Sequence, residues 1–167
     1  MYSILILDVS GSMKYLYESL FNIANQIIQN QMKNIENEGV VILFGSYAKA
    51  IVNGRYGLLD LSDIEKADVG GGTNFTTAFE VAEKYIKNKS KFPKKRILFL
   101  TDGISSSSQL QSICNRMIQE NLQINIVGFG YEIFEHLRQF ASSPECFKTS
   151  NNFEDVKEFS INVFAAV

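Results

Sequence analysis

The chain predicts an α/β fold, doubly wound around a mostly parallel sheet, and three observations predict it. Four short apolar runs, Ile4–Leu7, Val40–Phe44, Ile97–Leu100 and Ile124–Val127, are nearly continuous rather than alternating, as strands covered on both faces are. Stretches of helical period separate them, and parallel strands need such crossovers. Oxygen-rich, glycine-bearing turns follow the strand ends, at the edge where ligands of open α/β sheets bind.

The elements follow in order. Behind the first strand, Met13, Leu16, Leu20, Ile23 and Ile27 recur at spacings of three and four, so one apolar stripe of a helix faces inward. The second strand ends at Gly45-Ser46, a turn into Ala48–Val52, read as a short antiparallel edge strand. The stretch from Asn53 to Asp68 holds a short helix over Ser62–Ala67. Phe75, Ala78, Phe79, Ala82 and Ile86 mark the next helix, and Leu110, Ile113, Met117 and Ile118 the one after it. Cys146–Thr149 reads as a final strand, and Val156, Phe159 and Val163 as the apolar face of a last helix from Phe153.

Bulk properties narrow the function. The 167 residues suit one domain spanning 1–167, whose ends read as trimmed to a domain boundary. A net charge of −2 argues against general nucleic-acid binding. No apolar run reaches the ~20 residues of a membrane span. No basic segment precedes the first apolar run, so no signal peptide is read. Cys114 and Cys146 make neither a metal-ligand spacing nor a disulfide framework. A cytoplasmic location is the expectation from these features.

The chemistry lies in three turns. Asp8-Val9-Ser10-Gly11-Ser12 stands directly behind the first strand, Gly70-Gly71-Gly72-Thr73 precedes a helix, and Thr101-Asp102-Gly103 follows the third apolar run. Hard oxygen donors on separate loops are what magnesium requires, since it takes near-octahedral oxygen coordination and keeps several waters. Glycines at 11, 70–72 and 103 are expected to allow sharp turns and close backbone approach.

With these motifs the chain resembles the von Willebrand factor type A (vWA) domains, over nearly its whole length. Lys94–Gly103 is similar to that family's fourth-strand block, and Ile126–Gly130 to its fifth strand and exit turn. The resemblance implies a metal-ion-dependent adhesion site (MIDAS) formed by Asp8, Ser10, Ser12, Thr73 and Asp102. It implies Mg2+ there, with Mn2+ or Ca2+ as substitutes, and a protein partner presenting Asp or Glu. Direct hydroxyl ligands are neutral, so the ion would stay electrophilic while the aspartates act through waters. Loop position suggests Met13, Ser46, Asn74, Phe75, Ile104 and Tyr131 as the rim that meets the partner.

Other readings stand beside this one. Asp8 or Ser12 could cap the first helix, and Thr73 or Asn74 the one that follows Gly72. The fold could serve as a metal-independent scaffold, as the resemblance also allows. Gly70–Gly72 could cradle phosphate, but no Lys-Ser or Lys-Thr follows. A magnesium-dependent phosphatase of the haloacid dehalogenase type would use Asp8 as nucleophile. Such a site needs an aspartate two residues on, where this chain has Ser10. The basic stretch Lys87, Lys89, Lys91, Lys94, Lys95 and Arg96 is either a solvated loop guarding a strand or an anion patch. His136 has no ligand partner at metal spacing, and the sequons at Asn74 and Asn88 are read as chance.

Overall fold

The computed structural model describes all residues except 104, 106–108, 119–120, 131–134 and 166–167. Six strands form one sheet in the order β3-β2-β1-β4-β5-β6. They are β1 Tyr2–Asp8, β2 Glu38–Phe44, β3 Ala48–Gly54, β4 Lys95–Thr101, β5 Leu122–Phe129 and β6 Phe147–Ser150. Every neighbouring pair is parallel except β2 with β3. The helices are α1 Tyr17–Met32, α2 Ser62–Ala67, α3 Phe75–Ile86, α4 Leu110–Ile118 and α5 Phe153–Ala165.

The continuous apolar runs are explained by two cores, one on each face of the sheet. Tyr2, Ile4 and Ile6 of β1 point to the face covered by α3 and α4, while Leu5 and Leu7 point to the face covered by α1 and α5. Ile97 and Phe99 on β4 side with the first group, Leu98 and Leu100 with the second. Successive strand residues face opposite ways, so a strand buried on both faces is apolar at nearly every position. The first core centres on Phe99, whose ring lies 5.0–5.4 Å from those of Phe44, Phe75 and Phe79.

The structure adjusts several expectations. The first helical stretch opens as a 3-10 helix over Gly11–Leu16 before α1 begins. The last strand begins at Phe147, because Pro144–Cys146 form a 3-10 turn. Ile118 is 48% exposed, so Leu110, Ile113, Cys114 and Met117 make the buried stripe of α4. On α5, Val156, Ser160 and Phe164 are buried, while Phe159 and Val163 pack half-buried against the core.

The amino ends of the strands carry the basic stretch, which is tied into the fold. Lys91 and Lys89 reach Glu38 at 2.8 and 3.6 Å. The Arg96 guanidinium donates to the carbonyl of Val163 on α5, and Lys95 is buried. No helix among the described residues is long and apolar enough to cross a membrane.

Candidate functional site

β1 stands between β2 and β4, with Leu7 beside Leu100 and Asp8 beside Phe44. The chain winds outward in both directions from β1, so the connections leaving β1 and β4 part there and open a crevice. Asp8 ends β1 at its mouth and is fully buried. One carboxylate oxygen accepts the Ser10 amide at 2.9 Å, and the other accepts the Thr101 hydroxyl at 2.6 Å. Among the described residues no Lys, Arg or His side chain pairs with Asp8.

From this buried floor the donors rise towards solvent. Ser10 is 1% exposed, and its Oγ lies 3.2 Å from Ser12 Oγ. Ser12 Oγ is exposed and donates to Asp102 Oδ1 at 2.9 Å. The first and third turns thus meet through one hydroxyl. Thr73 joins from the second turn. A methyl built on Gly103 would find Thr73 Oγ1 at 3.7 Å and Asp8 Oδ2 at 3.9 Å. Four of the five residues lie in one chain of hydrogen bonds or close hydroxyl contacts, and the fifth borders it.

The loops are cross-tied. Gly11 N donates to Gly71 O at 3.1 Å, Gly72 N to Ser46 Oγ at 2.9 Å, and Asn74 N to Gly45 O at 2.8 Å. Asn74 caps α3 by accepting the Thr77 amide at 3.2 Å. The capping explanation for Asp8 and Ser12 does not hold, because Ser10 is the N-cap and makes no side-chain cap bond.

The glycines divide differently from expectation. Gly70 has φ +74°, whereas Gly11, Gly71, Gly72 and Gly103 have no positive φ. A Cβ on Gly11 or Gly103 would meet only ordinary contacts. A Cβ on Gly72 would press on Ser46 Oγ at 2.6 Å, and one on Gly45, outside the expected set, would lie 2.2 Å from the backbone oxygen of Gly70.

The rim also changes. Met13 and Phe75 are fully buried, one in each core, and offer no surface. In a 3-10 helix residues three apart share a face. Met13 and Leu16 therefore point inward together, and Ser12 and Tyr15 outward. Tyr15 is 75% exposed, and Tyr47, in the turn after β2, is 67% exposed. Ser46 and Asn74 lie in the cross-tied loops through their bonds with Gly72 and Gly45, while Ile104 and Tyr131 lie outside the described residues.

Two residues beyond the expected set hold the site. Thr101 Oγ1 donates to Asp8 and accepts the Gly103 amide at 3.1 Å, so it joins β1 to the turn after β4. The one proton of the Tyr17 hydroxyl is shared between the carbonyls of Val9 at 2.6 Å and Ser10 at 3.1 Å, the nearer being the main acceptor. Burial, and then the carboxylates of Asp8 and Asp102, raise the Tyr17 phenol above its ordinary range and keep it a donor. Among the described residues no three His, Cys, Asp or Glu side chains form a metal-ligating group. The site's donors are two carboxylates and three hydroxyls, an all-oxygen set that fits a hard divalent cation.

Residues 4–162 match the family described as von Willebrand factor type A domain. The chain therefore belongs to the vWA family, a family of protein-interaction modules. A comparison with curated protein sequences finds no match. Among solved structures, proximal thread matrix protein 1 from the mussel byssus superposes with TM-score 0.75 at 17% identity, over 98% of this chain and 46% of its own. A second structure of that protein, with a zinc-occupied MIDAS motif, gives 0.72 at 18% identity, over 98% of this chain and 44% of its own. The SpRpn10 VWA domain gives 0.70 at 16% identity, covering 97% of this chain and 92% of that one. This chain spans less than half the length of the mussel protein. At these identities the likeness is one of fold.

Proposed function

We propose that this chain is one vWA domain that docks a partner protein through a divalent cation, Mg2+ or a substitute such as Mn2+. Asp8, Ser10, Ser12, Thr73 and Asp102 would hold the ion. The observation that carries the reading is Asp8, a fully buried carboxylate with no cationic partner among the described residues. An unpaired buried charge is costly, and a cation at the mouth of the crevice would offset that cost. The neighbouring donors are oxygens drawn from three loops, and a structural relative is described with zinc in its MIDAS.

When bound, the ion supplies an electrophilic centre with an exchangeable position, which suits an Asp or Glu of the partner. The chain's own residues then set what fits around that carboxylate. Ser46, Asn74 and the exposed rings of Tyr15 and Tyr47 are the residues proposed to line the approach. Tyrosine offers large contact area at small entropic cost, so these rings are the proposed contacts of the partner's neighbouring side chains.

A second reading, metal-independent docking, draws on one observation. Both oxygens of Asp8 and one of Asp102 already accept hydrogen bonds within the chain. Calorimetric titration separates the two readings. Saturable Mg2+ or Mn2+ binding by the parent, abolished in Asp8→Ala with the fold retained, is the expected result. Absence of binding at high metal, with the parent and variant indistinguishable, overturns the metal reading in favour of the scaffold.

A further inference from the structure

The first turn is held by two successive peptide planes, and Tyr17 touches both. A peptide unit is rigid, so fixing its carbonyl fixes its amide too. In the unit joining Val9 to Ser10, the carbonyl accepts Tyr17 Oη at 2.6 Å, and the amide donates to Asp8 Oδ1 at 2.9 Å. In the unit joining Ser10 to Gly11, the carbonyl accepts Tyr17 Oη at 3.1 Å and Met13 N at 3.0 Å. Its amide donates to Gly71 O at 3.1 Å. One phenol thus stands behind both planes. Their opposite edges are held by the Asp8 carboxylate and by the glycine loop that leads to Thr73.

We infer that Tyr17 is a positioning residue for the site, coupling the first and second loops so that their oxygens stay convergent. The inference rests on the metal reading above for its purpose and on these distances for its mechanism. Without the hydroxyl, the Val9–Ser10 plane is free to tilt, and the amide that orients Asp8 tilts with it. The Ser10–Gly11 plane keeps Met13 but loses its second anchor, so Gly11 and Gly71 can part. Tyr17 is the first residue of α1, so the helix itself serves as the rigid backing.

Tyr17→Phe, made in the full chain, keeps the ring and removes only the donor. Amide hydrogen exchange in chelator is the first readout. The expected result is exchange at Ser10 and Gly11 faster by about fivefold or more, with β4 and β5 unchanged, as loss of one buried hydrogen bond allows. Mn2+ titration is the second, with the dissociation constant expected to rise about tenfold. Incorporating 4-aminophenylalanine at position 17 restores a donor and is expected to recover most of both effects. Unchanged exchange at residues 10 and 11 overturns the positioning role, whatever the metal result. Uniformly faster exchange across the sheet overturns it too, because the phenol would then be serving global stability. A parent chain that binds no Mn2+ overturns the metal reading, and with it the claim that Tyr17 serves a metal.

Discussion

Gly45 shows how one missing methyl group shapes the site. Its backbone is where the turn after β2 meets the glycine-rich loop, and a Cβ there would press on Gly70 O at 2.2 Å and Val69 O at 3.0 Å. Backbone oxygens cannot swing aside as a side chain can, so Gly45→Ala must displace the loop that carries Thr73. The loop is also tied to Gly45 through Asn74 N. We expect Gly45→Ala to lower the thermal midpoint by several degrees, since forced overpacking costs ~1–3 kcal/mol. Mn2+ affinity should fall with it, whereas Gly11→Ala, which meets only Gly71 O at 3.7 Å, should change both little. Equal behaviour of the two variants in a melt and a Mn2+ titration would contradict this. At this scale the sequence was an uneven guide. The oxygen donors are legible because their types and order are themselves the signal. The rim was misread at Met13 and Phe75 because a loop position says where a residue is, not which way it points. The spacing of three between Met13 and Leu16 was the available sign that Met13 faces inward. Tyr17 could not be found this way, because nothing local marks a phenol that reaches back to main-chain carbonyls eight and seven residues away.

The elements were more legible, for a physical reason. The central strands are buried on both faces, so their apolar runs are nearly unbroken, with Asn125 of β5 the exception, its amide donating to the Ile97 carbonyl; α3 shows all five of its predicted buried residues. What the pattern could not separate was a 3-10 turn from the start of α1, since spacings of three occur in both. The ion pair between helices was also out of reach, because it joins charges far apart in sequence. Arg116 of α4 makes two bonds to Glu83 of α3, at 2.8 and 3.2 Å. The Arg116 guanidinium, in the main, holds the Glu83 carboxyl below its ordinary range. A carboxyl whose value is lower in the folded chain stabilises the fold above its unfolded value, and that gain disappears as pH falls through the folded value. Glu83→Gln should therefore lower the melting midpoint by roughly a degree or two at neutral pH. The gap to the parent should begin to close as pH falls below the ordinary glutamate value of about 4.3 and be gone only below the lowered folded value, where the carboxyl is protonated in both states. A gap that stays constant from pH 7 to pH 3 in parallel melts would show that packing, not charge, is what the substitution removes.

For the molecule as a whole, topology does the assembling. The three turns are separated by more than sixty and by nearly thirty residues in sequence, yet β1 lies next to β4 and brings Asp8 beside Thr101. Strand order was the missing information, and the rule that ligands gather at the carboxyl edge supplied most of it. The same arrangement makes a thermodynamic demand. If one cation bridges the three loops and keeps a position for a carboxylate, metal and carboxylate must strengthen each other's binding by the same factor. Metal bound only to the folded state adds about 1.4 kcal/mol at ten times its dissociation constant, a midpoint rise of roughly 3–6 °C for a chain of this size. Acetate, a probe that offers a carboxylate and nothing else, should lower the apparent dissociation constant for Mn2+ and enlarge that rise, while chloride at equal ionic strength should not. Asp8→Ala should show neither effect, and chelator should return the parent to its metal-free midpoint. A metal-induced rise that acetate leaves untouched would mean that the ion binds with no position open to a carboxylate. The docking chemistry would then have to reside on the surface around Tyr15 and Tyr47 rather than at the metal.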